Sequence, residues 1–251
     1  MKIIAVTNQK GGVGKTTTAV NLAAALSMSG QRVLLCDMDP QGNATSGMGI
    51  DKTSAAVTVY NVLINGADVR SAVCRSDFGD VIPANKNLSG AGVELVALEN
   101  REFVLKNALT PLRDDYDYIL IDCPPSLEML TLNSLCAADT ALIPVQCEYF
   151  ALEGLSDLIT TIRMIKRSLN PTLDIEGVLL TMYDSRTNFS AQVADEIKKF
   201  FGKKVYKIVI PRNVRVSEAP SHGKPVIAYD RASRGSAAYI ELGKEFLKRN
   251  R

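Results

Sequence analysis

One stretch limits the fold of this chain more than any other. Lys10-Gly11-Gly12-Val13-Gly14-Lys15-Thr16-Thr17 follows directly on an apolar, β-branched run at residues 2–7 and opens a helical pattern at 16–29. A glycine-rich turn between a strand and a helix lets several backbone N–H groups converge on an anion, and the helix N-terminus adds partial positive charge. Lys15 is placed to reach β- and γ-phosphates, and the Thr16 hydroxyl to meet Mg²⁺. The spacing departs from the general phosphate-loop pattern: Gln9 occupies the first glycine position, whereas Gly11 and Gly12 come later. The competing structural reading is an ordinary glycine-rich turn before a helix.

A parallel sheet is the frame such a loop needs. Strands are expected at 2–7, 32–37, 118–122, 140–145 and 175–182, with further candidates at 80–83 and 205–210. Their interiors (IIAV, VLLC, YILI, ALIPV) are almost unbroken apolar sequence, as expected for strands covered on both faces. Helical spacing is read at 16–29, 101–113, 126–137, 152–168, 190–200 and 233–248. The alternation predicts an α/β fold, a mostly parallel twisted sheet with helices on both faces. The length, 251 residues, favours one large domain spanning 1–251 over two small ones.

Phosphoryl chemistry also needs carboxylates at the carboxyl ends of strands, beside the loop. Asp122 ends the run Tyr118-Ile119-Leu120-Ile121 and suits a carboxylate that holds Mg²⁺ through a water. Asp37 and Asp39 end the second strand; alternation places them on one side, where they could share the metal region and the attacking water. Strand-ending aspartates also commonly cap the next turn, and that reading stands beside the functional one.

Composition removes other chemistries. A single histidine, His222, excludes a site built on two imidazoles, and the five cysteines form no Cys-x-x-Cys pair and fall mostly in apolar runs. They read as small buried hydrophobes in a reducing cytosol. No signal-peptide core follows Met1, and no run approaches the ~20 apolar residues of a membrane span; the expected location is cytoplasmic. The net charge of +2 conceals a division: residues 1–185 carry 14 Lys/Arg and 21 Asp/Glu, and residues 186–251 carry 15 and 6. The parts hold −7 and +9, and the second is a candidate polyanion-facing surface, or simply basic helix faces in solvent.

Together, the loop KGGVGKTT, the run Asp37 to Gly49 (DMDPQGNATSGMG), Asp122-Cys123-Pro124-Pro125 and the segment Ile210 to Ser221 (IPRNVRVSEAPS) resemble the deviant Walker A ATPases of the ParA/MinD group, most closely the small chromosomal ParA (Soj) type. The resemblance spans residues 2 to about 240, with the motifs in order. It implies a P-loop NTPase fold that binds ATP and Mg²⁺ through Lys10, Gly11, Gly12, Val13, Gly14, Lys15, Thr16 and Thr17, with Asp37 and Asp122 at the metal. It implies further that Lys10 crosses to the partner's nucleotide in an ATP-sandwiched homodimer, that Asp39 serves the hydrolytic water and that Pro211 and Asn213 touch the base. Arg186 and Arg215 match positions that contact DNA without sequence preference, and the resemblance implies a centromere-binding ParB-like partner that stimulates hydrolysis. A lysine supplied in trans would turn nucleotide state into dimerisation, as an arginine finger does, without the bidentate fork.

Two other functions remain open on the sequence. One is a membrane-cycling ATPase of the MinD kind, which relies on a C-terminal amphipathic helix; here only Phe246 and Leu247 are large and apolar after Gly243. The other is a small-molecule phosphotransferase or amide-forming ligase on the same scaffold. An iron–sulfur reductase relative lacks convincing cluster partners for Cys123 and Cys136.

Overall fold

The apolar runs pair as buried strands do. The computed structural model describes residues 1–148 and 151–250. In chain order its elements are β1 (Lys2–Val6), α1 (Lys15–Met28), β2 (Val33–Asp37), α2 (Asn43–Gly47), α3 (Val59–Ile64), β3 (Asp80–Ile82), α4 (Leu88–Leu95), α5 (Val104–Leu109) and β4 (Tyr118–Asp122). They continue with α6 (Met129–Ala137), β5 (Thr140–Gln146), α7 (Ala151–Ser168), β6 (Asp174–Thr181), α8 (Asn188–Phe201), α9 (Val214–Glu218), α10 (Val226–Tyr229) and α11 (Arg234–Arg249). The six strands form one sheet in the order β3-β2-β4-β1-β5-β6, every pair parallel. The α/β expectation is met, with helices on both faces.

Side-chain alternation divides the core in two. Ile4, Val6, Val33, Leu35, Leu120 and Leu142 face α1 and α11, which contribute Leu22, Leu26, Tyr239, Leu242 and Phe246. Ile3, Ala5, Leu34, Cys36, Ile119, Ile121 and Ile143 face the other side, with Leu63, Leu88, Leu105, Leu135, Leu158 and Ile197 from helices α3 to α8. Asp37 continues the Val33–Leu35 face and Asp122 the Leu120 face, so both carboxylates are delivered to the side where α1 begins. Cys36, Cys123, Cys136 and Cys147 are buried, Cys74 is half-buried, and all five are free thiols.

Two expected elements come out differently. Residues 101–113 do not form one helix: α5 is flanked by 3₁₀ turns at Arg101–Phe103 and Thr110–Leu112. Pro111 has no N–H to give the preceding turn and its ring crowds that turn's carbonyl, so the α-helix ends at Leu109. Residues 205–210 run beside β6 but form no continuous ladder with it: Val205 makes an isolated bridge to Val178, Tyr206 N–H donates to Val178 O at 2.9 Å and Ile210 N–H to Leu180 O at 2.8 Å. The amides of Lys207 and Ile208 donate instead to the Glu245 carboxylate on α11, at 3.0–3.1 Å, which interrupts any ladder.

The C-terminal helix is fastened to the start of the chain. Glu176 accepts from Lys2 Nζ at 2.6 Å, from Asn250 Nδ2 at 2.8 Å and from the Thr140 hydroxyl at 2.8 Å. Among the described residues no helix is long and apolar enough to cross a membrane.

Candidate functional site

The phosphate loop is built by two left-handed glycines and braced from three strands. Gly12 and Gly14 adopt φ of +75° and +88°, a region where a Cβ is strained, and Gly14 is the N-cap of α1 without any side-chain cap. The first amides of α1 are therefore left for an external anion. Gly11 does not need a left-handed backbone; at both Gly11 and Gly12 a Cβ would meet nothing within 4 Å, so the cradle is open. Asn8, buried at the end of β1, accepts from Lys10 N–H at 3.0 Å and donates to Pro144 O at 2.8 Å. On the far side the Thr181 hydroxyl donates to Val13 O at 2.8 Å.

The two lysines of the loop have different surroundings. Lys15 is buried and its ammonium donates to Lys10 O at 3.2 Å. Burial draws its pKa down, opposed by the nearby charges of Asp122, Cys123 and Asp39. Lys10 points outward to an ion pair with Glu148, 2.5 Å from Nζ to Oε2.

The three candidate carboxylates are not equivalent. Asp122 is fully buried, and among the described residues neither oxygen has a partner at full hydrogen-bond geometry, the Thr16 hydroxyl being the polar group that comes near enough to favour its charged form. Burial, then the charge of Asp37, push its pKa well up, and the neighbouring Thr16 hydroxyl and Lys15 offset only part of this. Asp37 is equally buried but satisfied: its Oδ2 accepts from Thr45 N–H at 2.8 Å and Thr45 Oγ1 at 2.7 Å, and its Oδ1 from Asp39 N–H at 3.1 Å. Asp37 therefore also braces the turn into α2, and its place in the metal region stays an expectation beside that structural role. Asp39 is half-buried, its Oδ1 accepting from Gln41 N–H at 2.9 Å. Among the described residues no cluster of three or more His, Cys, Asp or Glu surrounds a possible cation. Mg²⁺ does not require one, since it keeps waters and phosphate oxygens and takes one or two protein ligands. An unsatisfied buried carboxylate beside an open cradle and a threonine hydroxyl fits that ion together with a nucleotide.

The remaining sequence candidates lie along the same edge of the sheet. Pro211 bridges to Tyr183, two residues beyond the Thr181 contact with the loop, and Asn213 uses Oδ1 to cap α9 through Val216 N–H. Arg186 folds back on Asp184 in a bidentate pair at 2.9 and 2.8 Å. Arg215 lies between Glu218 at 2.9 Å and Asp230 at 3.3 Å.

Comparison with known proteins agrees with this geometry. A family model described as an AAA domain matches residues 1–175. The sporulation initiation inhibitor protein Soj of Bacillus subtilis is 59% identical over 246 residues, 97% of each chain. The chain belongs to the ParA/Soj chromosome-partitioning family. The chromosome partitioning protein ParA of Myxococcus xanthus is 54% identical, over 99% of this chain and 89% of its own. Among solved structures, cobyrinic acid a,c-diamide synthase from Mycobacterium smegmatis with bound ATP analogue and magnesium superposes with a TM-score of 0.87 at 38% identity, covering 99% of this chain and 95% of that one.

Several residues that shape this ParA/Soj site carry no local signal in the sequence. Asn8 is the exception, because it sits two places before Lys10 at the end of a strand. Thr181 and Glu148 come from distant segments and reach the loop only through the order of the sheet, whereas Thr45 reaches Asp37 from α2. Met182, just past β6, is in the left-handed region at φ +48°, a strained conformation for a side-chain-bearing residue, where the chain turns away beside the loop.

Proposed function

We propose that this protein is an ATP-hydrolysing switch whose nucleotide-bound form pairs with a second copy, binds DNA without sequence preference and partitions a chromosome or plasmid with a ParB-like partner. The observation that carries the nucleotide reading is Asp122, a buried carboxylate with no partner of its own, at the strand end facing Thr16, Lys15 and the open turn of Gly11 and Gly12. The amides opening α1 and Lys15 would hold the phosphates, and Thr16 and Asp122 the Mg²⁺. The metal, when bound, neutralises charge that develops on the transferred phosphoryl group. Asp39, more accessible than the other two carboxylates, is the residue suited to orient the attacking water.

The dimer and DNA steps rest on family resemblance and on charge. Lys10 lies outside the cradle, where a second subunit could meet it. Arg215 shares the loop's edge with Arg212, Lys224, Arg231 and Arg234, and these four form no ion pair among the described residues. Neutralising several phosphates gives affinity without base readout. The deciding experiment is DNA retention by the purified protein with ATP, ADP or no nucleotide, across a salt series. Retention confined to ATP and falling steeply with salt is the expected result; retention independent of nucleotide would overturn the switch.

Three specific observations bear on the alternatives. The similarity to a diamide synthase supports a ligase reading, which demands turnover that depends on a small carboxylate acceptor. A cavity of about 620 Å³, lined by Arg32, Arg70, Arg75, Asp80, Asp115 and Tyr116, opens beside the first residues of β2 and β4, at the edge opposite the loop, where it cannot serve a phosphoryl-transfer site. A MinD-like lipid role is disfavoured by α11, whose Tyr239, Leu242 and Phe246 are buried against the sheet, with Phe246 edge-on to Tyr118 at 5.3 Å. Co-sedimentation with lipid in ATP, without DNA retention, would favour that reading instead.

A further inference from the structure

We propose that Glu148 is the positioning residue of Lys10: it holds the ammonium within its own subunit until the polyphosphate of a second loaded subunit competes for it. The proposal rests on the dimeric reading above. Its basis is a division of labour within one residue. The Lys10 backbone is tied on both sides, its N–H donating to Asn8 Oδ1 at 3.0 Å and its carbonyl accepting from Lys15 Nζ at 3.2 Å. The side chain is the part left free of the loop's own bonds, and among the described residues its partner is Glu148 at 2.5 Å.

Glu148 is brought there by the fold. It lies two residues past β5, in a tight turn where its N–H donates to Gln146 O at 2.8 Å, and β5 is the direct neighbour of β1, which feeds the loop. The pair is 138 residues apart in sequence. Its side chains are 40% and 45% exposed, so water screens the attraction and the pair can be broken at small cost. A single carboxylate at such a site loses Lys10 to a polyphosphate of several charges and retains it against solvent. The pair also directs Lys10 away from Lys15, so that two ammonium groups do not converge on one cradle before a nucleotide is present.

Two measurements test this on the full-length protein. In the first, nucleotide-free protein is treated with an amine-acylating reagent and modification of Lys10 is followed by mass spectrometry. Glu148→Gln is expected to raise the Lys10 rate several-fold over wild type, with Glu148→Asp restoring most of the protection; equal rates in wild type and Glu148→Gln overturn the proposal. In the second, dimerisation with ATP is measured by sedimentation. Glu148→Gln is expected to lower the dimer Kd by about three- to ten-fold, since two weak surface pairs need no longer be broken, while ATP affinity of the monomer is unchanged.

A Kd that is unaltered or raised overturns the role of Glu148 and leaves the dimer intact as a reading. Lys10→Ala separates the two levels. Loss of ATP-dependent dimerisation there supports the trans role of Lys10 on which the proposal rests. Undiminished dimerisation by Lys10→Ala removes the trans role of Lys10 itself, and the proposal with it.

Discussion

Asp37 and Asp122 stand opposite each other across the β2–β4 pair, yet among the described residues only Asp37 receives donors at full hydrogen-bond geometry. Thr45 and the Asp39 amide satisfy Asp37, which makes it part of the frame that folds the chain from β2 into α2. Asp122 is left with desolvation and the charge of its neighbour, and a buried unpaired carboxylate is a standing cost to the fold. Such a cost is expected where a site is prepared for a ligand absent from the chain itself.

Asp122→Asn is accordingly expected to stabilise the nucleotide-free protein while weakening Mg²⁺-dependent nucleotide binding. A gain of about 1–2 kcal/mol corresponds to roughly 2–6 °C in Tm for a chain of this size. Calorimetry without nucleotide checks the first effect, and nucleotide titration with and without Mg²⁺ the second. A lower Tm would mean that Asp122 is satisfied by the fold after all.

Thr45→Val should behave in the opposite sense. It keeps the shape but removes the hydroxyl that donates to Asp37 and accepts from Ala84 N–H at 2.9 Å. Leaving a buried carboxylate and a buried amide short of a partner is expected to cost about 2–3 kcal/mol, read as a lower denaturation midpoint.

For Asp39→Ala the expectation is unchanged ATP affinity with hydrolysis reduced at least a hundred-fold, the scale on which removal of a water-orienting group acts, about 10²–10⁴. Equilibrium binding and phosphate release measured on the same sample distinguish this from a binding defect. Full turnover would move the water-orienting role elsewhere.

The basic residues of the last quarter separate into two groups, and this gives a paired test. Arg215→Glu, at the edge of the loop, should abolish ATP-dependent DNA retention and leave nucleotide affinity unchanged. Lys248→Glu, at the far end of α11, should reduce retention only slightly. Both are read from mobility shifts over salt, with a smaller salt slope for Arg215→Glu. Equal losses would mean that DNA lies along the whole segment.

At the opposite edge, Glu176 sets a pH dependence of stability. Burial would raise its pKa, but Lys2, Asn250 and Thr140 hold it below the ordinary value. A carboxylate with a lowered native pKa stabilises the fold above its unfolded value of about 4.3, and that contribution is lost as pH falls through the native value. Glu176→Gln should therefore cost about 1–2 kcal/mol at pH 7, with the difference from wild type shrinking below about pH 4. Urea denaturation at pH 7 and pH 3.5 supplies the comparison; a deficit independent of pH would point to packing alone.

Local sequence went far toward this structure because much of its information is local. The strand ending in Asp122 is bounded as the apolar run reads, and Gly14 opens α1 where the motif requires. Runs that are apolar throughout can only be strands or helices covered on both sides, and a glycine turn before a helix leaves its amides unpaired whatever the rest of the chain does. The short helices α2, α3, α4, α9 and α10 were not legible, being too brief for a hydrophobic period to show. Residues 205–210 read as a strand from their own composition, and only the Glu245 carboxylate, 35 or more residues away, shows why the ladder fails.

Sequence alone determined that this protein has a phosphate loop, three strand-end carboxylates and an excess of positive charge in its last quarter, because residue identity and spacing are properties of the chain. Only the tertiary structure decided the surroundings of each. It satisfied Asp37 and left Asp122 bare, set Glu148 against Lys10, and sent Lys203, Lys204 and Lys248 to one edge of the sheet and Arg212, Arg215 and Arg234 to the other; Arg251 lies outside the described residues. Of the 15 basic residues from Arg186 onward, Arg186, Lys198, Lys199, Lys204, Arg215, Lys244 and Arg249 are taken up in ion pairs with their own chain. The physical reason is that burial and charge pairing depend on which strands become neighbours, and in a parallel sheet neighbours come from distant parts of the chain.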